Sequence, residues 1–383
     1  MISSHESAAP TGRAFVLETP REENMRTSNK VKATALAVLM SLTLTACDPP
    51  MPAELLIAQA ELEIQCEEGD VTLSLPESIS DLGFTWSDAV AVGCEIMSLT
   101  PVEESATDAG ILLAEQSLIA SRCTPFATVP VAIDAAVLVT NVPGYFEIYL
   151  DPSQIIGIFN GTITNWSDPA LLVNNEEYPL PDLPIVLPTE ATASSKQALS
   201  DWISRLAGEP LDLSAIADAT DFSESAFAMP FEEGAISIAS VSAATFAGSS
   251  IVAIIAEPGN LESMIRPDYE AILSAKTQLV SSLEGTELTV SLDPSIEPTA
   301  EEGLTEVVTP YQAVYPVKMA LCGEDTTLKR TAARFLLRQD SQGVIATSAL
   351  MPLPESVRIE AIQIVVVGLP VPTPAATEET DEG

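Results

Sequence analysis

The chain has 383 residues, with 16 Lys and Arg against 55 Asp and Glu, and a formal net charge of −39 at pH 7. Such a charge repels nucleic acid and anionic lipid at long range, which sets aside a nucleic-acid-binding role. The single histidine is His5, upstream of the segment that reads as an export signal. An exported chain without histidine excludes Ser-His-Asp and Cys-His hydrolysis and histidine-ligated metals.

In chain order, Arg26, Lys30 and Lys32 form a short basic region, an apolar run extends from Ala33 to Leu44, and Leu44-Thr45-Ala46-Cys47 follows. A basic patch, an apolar stretch and a small-residue exit predict a secretory signal. The run is too short for a permanent membrane-spanning helix, which takes about 20 residues. The cysteine directly after the exit resembles that of a bacterial lipoprotein signal. This implies lipidation at Cys47 and a place on the extracytoplasmic face of the bacterial plasma membrane. Residues 1–46 are assigned to the signal segment, and Met25, directly before the basic region, offers an alternative start. This segment holds five basic and four acidic residues, so its removal leaves the chain as acidic as before.

Residues 47–60 are Pro- and Ala-rich and read as a tether. Glu61–Gln65 and Val71–Leu75 alternate as strands do, and Ile79–Met97 predicts a helix. Gly110–Leu113 reads as a short strand before the polar turn Glu115-Gln116-Ser117. Val129–Val139 is nearly continuous apolar sequence with β-branched residues, the pattern of a strand buried on both faces. It ends at the turn Asn141-Val142-Pro143-Gly144. Asp151 is placed to cap a helix through Phe159 with Pro152 in its first position. Leu183–Leu187 reads as a strand, and Thr192 or Ser194 as the cap of a helix over Lys196–Leu206. Ala235–Val241 and Gln312–Leu321 read as strands. Leu328–Leu337 reads as an amphipathic helix with Arg330, Arg334 and Arg338 on one face. The tail, 366–383, is Pro-, Thr- and Glu-rich and predicts disorder. Strands alternating with helices predict an α/β fold with a mainly parallel sheet, and the length predicts two such units.

Besides Cys47 there are four cysteines, Cys66, Cys94, Cys123 and Cys322. An even number in an exported chain predicts two disulfides, with three pairings open. One pairing of interest joins Cys322 to an early cysteine and ties the C-terminal part back to the N-terminal part. The wide spacing does not suit a clustered zinc site, and no cofactor is expected.

The most informative stretch is Ile158-Phe159-Asn160-Gly161-Thr162-Ile163-Thr164-Asn165-Trp166-Ser167-Asp168-Pro169-Ala170. It resembles the F-x-G-x-I-x-x-W-x-D-P segment of the ABC-type phosphate-binding proteins. Read by itself, it is structural: Gly161 permits a tight turn after a helix, Trp166 is a large apolar anchor, and Asp168-Pro169 starts another turn. Three further stretches agree in order. Val129–Gly144 is similar to the family's crossover strand. Gly234–Val241 is similar to its G-x-I-G-Y-V strand, with Ser237 and Ala239 at the Gly and Tyr positions. Tyr315-Pro316 through Pro352-Leu353-Pro354, with Gln342-Gly343 between, is similar to its closing region. The resemblance covers roughly residues 65–358.

It implies the two-lobed periplasmic binding protein type II fold, with a hinge and an inter-lobe cleft. The limits expected are 61–144 plus 305–365 for the first lobe and 145–304 for the second. In that family an anion is held by amides at helix N-termini, by Ser and Thr hydroxyls, by an Arg and by an Asp. The main loop reads Arg-Ser-Asp-Gly-Ser-Gly-Thr-Thr, and here Pro188–Ser195 stands in its place. Its hydroxyls persist as Thr192, Ser194 and Ser195. The Arg is replaced by Pro188, the Asp by Glu190, and both glycines by Ala191 and Ala193. The family's second Asp falls at Glu115, next to Ser117. Near the first strand, Pro76–Trp86 carries Ser78, Ser80 and Thr85 as its only hydroxyls.

The expected ligand-binding residues are therefore Glu115, Ser117, Glu190, Thr192, Ser194 and Ser195. The resemblance implies a non-enzymatic, lipid-anchored substrate-binding protein for phosphate or another small oxyanion or polar solute, with an ABC permease as partner. The lost Arg and glycines favour an alternative, a degenerate binding protein acting as a surface sensor or protein-interaction module. A cleft packed shut by Glu190, Glu115 or Trp86 would suit that alternative. A carboxylate-based hydrolase has no support beyond abundant Asp and Glu, which solvation explains.

Overall fold

The computed structural model describes residues 64–102, 109–219, 232–300 and 306–367. The signal segment, Cys47, the tether, most of the strand expected from Glu61 and the tail from residue 368 lie outside the described residues. β1 (Gly69–Ser74) leads through α1 (Ser80–Gly93) to β2 (Met97–Val102), then to β3 (Ile111–Ala114), α2 (Gln116–Arg122) and the long β4 (Pro125–Thr140). β5 (Tyr149–Leu150), α3 (Pro152–Phe159), β6 (Glu190–Ala191), α4 (Ala193–Ala207), β7 (Ala217–Asp218) and β8 (Ile236–Ser240) follow. Next come α5 (Val241–Ala247), β9 (Ser250–Ile251), β10 (Ala253–Ile255), β11 (Met264–Ile265) and α6 (Tyr269–Lys276). The hairpin β12 (Leu279–Glu284) and β13 (Glu287–Leu292), β14 (Val314–Cys322), α7 (Thr327–Leu336), α8 (Gln339–Gly343) and α9 (Glu355–Val365) complete the order.

The fold is α/β and two-lobed, and β4 joins the lobes. Its apolar sequence is buried along nearly its whole length. Up to Ala135 it pairs with β14, and from Ala136 it pairs with β8. The first lobe's sheet runs β12-β13-β4-β14-β3-β1-β2, with β8 and β9 on the far half of β4. β1 pairs parallel with β2 and β3, whereas β14 is antiparallel to both β3 and β4. The sheet is thus mixed where a mainly parallel one was expected. β14 follows β13 of the same sheet with no helix between them among the described residues, so no β-α-β crossover imposes a parallel direction on it. The hairpin β12–β13 joins this sheet too, through Glu287 opposite Thr128.

Several elements differ from expectation for local reasons. α1 stops at Gly93, because Cys94 bonds to Cys66 and Met97 begins β2 with its side chain buried. Glu115-Gln116-Ser117 is no isolated turn: it opens α2. Leu183–Leu187 forms only isolated bridges, Pro184 with Asn165 and Val186 with Ala235. Pro181, Pro184 and Pro188 lack the N–H groups a continuous ladder needs. Arg330 of α7 is buried and donates to the carbonyls of Ile364 and Val365 at 3.0 and 3.1 Å, capping α9, with Asp325 paired to its other edge. A cation at a helix C-terminus meets both the unsatisfied carbonyls and the dipole.

α3 forms as its sequence demands: Asp151 accepts from the Gln154 amide at 3.0 Å, the Gln154 side chain accepts from the Asp151 amide at 2.9 Å, and Pro152 opens the helix. Trp166 is fully buried and donates its indole N–H to the Gly234 carbonyl at 2.8 Å. Gly234 has φ +86°, and a Cβ there would lie 2.3 Å from the Pro184 carbonyl oxygen. The Trp166 segment is therefore an anchor between loops of the second lobe. Among the described residues two disulfides form, Cys66–Cys94 and Cys123–Cys322, with Cα separations of 5.5 and 5.6 Å. The second ties the end of β14 to the end of α2.

Candidate functional site

The candidate site lies where β4 passes from one lobe to the other, facing the start of α4. Thr192 is the N-cap of α4 and accepts from the Ser195 amide at 3.3 Å. Its hydroxyl also donates to Glu115 Oε1 at 2.6 Å, and the Ser194 amide donates to Glu115 Oε2 at 3.2 Å. Glu115 stands at the cap position of its own helix, α2, yet makes no capping bond there. Its side chain reaches instead to the N-terminus of α4 and is fully buried. Unsatisfied amides and the helix dipole favour an anion at that place.

A second carboxylate sits close by in the network. The Ser195 hydroxyl donates to the Tyr315 hydroxyl at 3.0 Å, and Tyr315 on β14 stands opposite Asp134 on β4. Asp134 accepts from the Ser242 hydroxyl at 2.5 Å, the Ser242 amide at 3.3 Å and the Ala135 amide at 2.7 Å. Ser240 caps α5, accepting from the Ala243 amide at 3.1 Å, with its oxygen 3.0 Å from that of Ser242. Asp134 lies on β4 and Glu115 directly after β3, and each is bound at the start of a helix distant in sequence, α5 and α4 respectively.

Burial raises both pKa values. Glu115 is pushed up to about 7, by desolvation first and further by the charge of Asp134, against the bonds from Thr192 and Ser194. Asp134 is pushed up to about 6 by desolvation, against the bonds from Ser242 and Ala135. Tyr315 lies well above the usual phenol range, through burial and the two carboxylates, and stays a neutral hydroxyl. Ser78, in the short turn Glu77–Ile79 that packs against α5, is buried, and its hydroxyl finds no partner. An orphaned buried hydroxyl is uncommon and costs about 1–3 kcal/mol, which makes it a candidate ligand contact.

Of the six expected site residues, the fold brings together Glu115, Thr192, Ser194 and Ser195. Glu190 is half-buried in the two-residue strand β6, paired with β7, and bonds to none of them. Ser117 is exposed on the first turn of α2. Trp86 is buried and donates to the Ser341 carbonyl at 3.1 Å, so it belongs to the first lobe's core. Sequence reasoning did not reach Asp134, Tyr315, Ser240 or Ser242. Asp134 carried a readable signal, as the one charged residue within the apolar run Val129–Val139.

The family model of the PBP superfamily domain matches residues 105–336, more than half of the chain. The chain belongs to the PBP superfamily. The resemblance carried by Ile158–Ala170 and the stretches around it is borne out, and with it the two-lobed type II binding-protein fold. Solved structures similar to this chain include a human phosphate binding apolipoprotein, 13% identical, covering 76% of this chain and 93% of that one, with a TM-score of 0.49. A phosphate-binding protein from Stenotrophomonas maltophilia is 12% identical over 77% of this chain and 93% of its own, with a TM-score of 0.45. An ABC-type phosphate transport receptor from Vibrio cholerae is 14% identical over 75% of this chain and 100% of its own, with a TM-score of 0.37. No curated protein matches the chain. Members of the superfamily matched here are substrate-binding proteins.

Proposed function

We propose that this PBP-superfamily chain is an extracytoplasmic, lipid-anchored binding protein of the ABC-transporter class, without enzymatic activity, whose inter-lobe site takes a small oxyanion or polar solute. The observation that carries the reading is the hold of the Thr192 hydroxyl and the Ser194 amide on the Glu115 carboxylate, at 2.6 and 3.2 Å. A carboxylate is itself an oxyanion, so this donor set has the geometry to bind one. Here the chain supplies its own. An external anion would have to displace Glu115 and would meet Pro188 where the family has an Arg. Each charge-assisted bond lost with that Arg is worth about 1.5–3 kcal/mol, so phosphate binds weakly in the wild-type protein. The Cys47 signal supports the anchor, and the family supports a permease as partner. Mass spectrometry of protein extracted from membranes, finding a diacylated N-terminal Cys47, tests the anchor.

Calorimetry of the purified chain with phosphate, sulfate and small carboxylates tests the ligand. Weak binding is expected in the wild type, strengthened about tenfold in Glu115→Ala, which vacates the donors. Silence from both proteins toward every anion removes the oxyanion reading. The same complete burial of Glu115 favours the second reading, a degenerate PBP protein that is sealed by its own side chain and acts as a surface sensor or protein-interaction module.

A further inference from the structure

A cavity of about 770 Å³ opens between the loops that precede β5 and follow β10 in the second lobe, and it shares no residue with the Glu115 network. Its walls carry Tyr145, Phe146, Tyr149 and Tyr178. These include three of the six tyrosines in the whole chain. Phe146 is 89% exposed and Tyr178 66% exposed. An aromatic ring left in water at such cost marks a surface that meets something.

The walls are set before any ligand arrives. The Tyr145 hydroxyl donates to the Pro179 carbonyl at 2.6 Å, tying one loop to the next. The Tyr149 hydroxyl donates to Glu147 at 2.7 Å, and Glu147 accepts from Nε and Nη2 of the Arg266 guanidinium at 2.6 and 3.0 Å. The Gly259 amide donates to the Asn174 side chain at 3.0 Å, closing the far wall. Glu147 and Arg266 neutralise one another. The remaining charges on the lining are the exposed carboxylates Glu176 and Glu177, which have no cation beside them among the described residues.

Aromatic faces and uncompensated carboxylates around one preformed hollow select for a particular chemistry. A ring face attracts a cation through its quadrupole, and a weakly hydrated cation loses little by leaving water. The carboxylates add long-range attraction on a chain whose net charge is −39. They also repel the anions that suit the α4 N-terminus. The volume falls within the usual range for small-molecule sites. We propose that this cavity binds a small organic cation, an alkylated ammonium or a guanidinium, at a site independent of the inter-lobe ligand and of the reading given for it.

Calorimetry of the purified chain with choline, tetramethylammonium and arginine methyl ester tests the proposal, with 3,3-dimethylbutanol as the neutral isostere of choline. At least one cation should bind, and the neutral isostere should bind about tenfold more weakly or not at all. The double variant Phe146→Ala/Tyr178→Ala should weaken the cation about tenfold, and Glu176→Gln/Glu177→Gln should weaken it several-fold and flatten its salt dependence. All four side chains are exposed, so the variants should keep the fold, which circular dichroism would check. Three results would each overturn the assignment: silence toward all three cations, equal binding of the neutral isostere, or full binding by the aromatic double variant. Glu115→Ala should leave cation binding unchanged, which separates this site from the inter-lobe one.

Discussion

The inter-lobe network and the second-lobe cavity both gather carboxylates, and they treat them in opposite ways. At the lobe junction Glu115 and Asp134 are cut off from water, and hydroxyls and amides hold them. Desolvation outweighs those bonds, and both groups hold their protons more tightly than usual. In the cavity Glu176 and Glu177 face water, while Arg266 holds Glu147 below the usual carboxylate range. The contrast shows that a very acidic composition does not set the character of a site. The low-dielectric site keeps its carboxyls in a hydrogen-bonded, closed network, and the wet site leaves its charge available to a partner. One is built to be opened and the other to be filled.

The sharpest way to break the contrast is to loosen the closed network from outside. Cys123 follows α2, at whose cap position Glu115 stands, and Cys322 ends β14, which carries Tyr315. Their bridge spans a sequence separation of 199 residues. Constraining a loop of that size lowers the entropy of the unfolded chain by about 3–5 kcal/mol. Replacing both cysteines with serine should lower the urea unfolding free energy by that amount and leave cation binding in the cavity intact. An unchanged urea midpoint would show that the bridge does not support the junction.

The next effect is electrical. The pKa of Glu115 is raised from 4.5 to about 7, so the folded state prefers the neutral acid. That preference contributes fully below pH 4.5 and is lost as pH rises through 7, at a cost of about 3 kcal/mol. Asp134, raised from 3.8 to about 6, adds a loss of the same sign over a lower window. Urea titrations at pH 4.5 and 7.5 should therefore show wild type losing about 3 kcal/mol more than Glu115→Gln. Parallel losses in the two proteins would mean that Glu115 is solvated in solution.

The crossover strand and the α4 hydroxyls were legible because each has a local signature. An unbroken apolar run predicts a strand buried on both faces, Asp151-Pro152 predicts a helix start, and Thr192 is a capping residue. What stayed hidden depended on partners distant in sequence. Glu115 was expected at the site, but its hold on the start of α4 was not, because its partners lie 77 and 79 positions away. Tyr315 meets Ser195 across 120 positions, and Ser242 meets Asp134 across 108. The antiparallel course of β14 is equally non-local. The aromatic cavity is assembled from three separate loops, and no periodicity marks a loop surface.

Thr192 tests how far the junction relies on a single hydroxyl. Thr192→Ala removes the α4 cap and one of the two donors to a buried carboxylate, and should cost about 1–2 kcal/mol at pH 7.5. Thr192→Ser should restore most of it. Because the lost bond favours the ionised form of Glu115, the alanine variant should also shift the pH-dependent loss to higher pH. A purely capping role would change the free energy equally at every pH.

The smallest effect belongs to the cavity, and its smallness is the point. Phe146→Ala and Tyr178→Ala remove large rings from positions 89% and 66% exposed, where little apolar area leaves water on folding. Each should change the unfolding free energy by no more than about 0.5 kcal/mol. Trp166, fully buried with a bonded indole, sets the opposite limit: its loss should cost about 3–5 kcal/mol. A large loss from Phe146→Ala would mean that the ring packs against the protein in solution and that the cavity is part of the core. A negligible loss leaves an aromatic surface that folding does not need, and its upkeep must then be explained by what it binds.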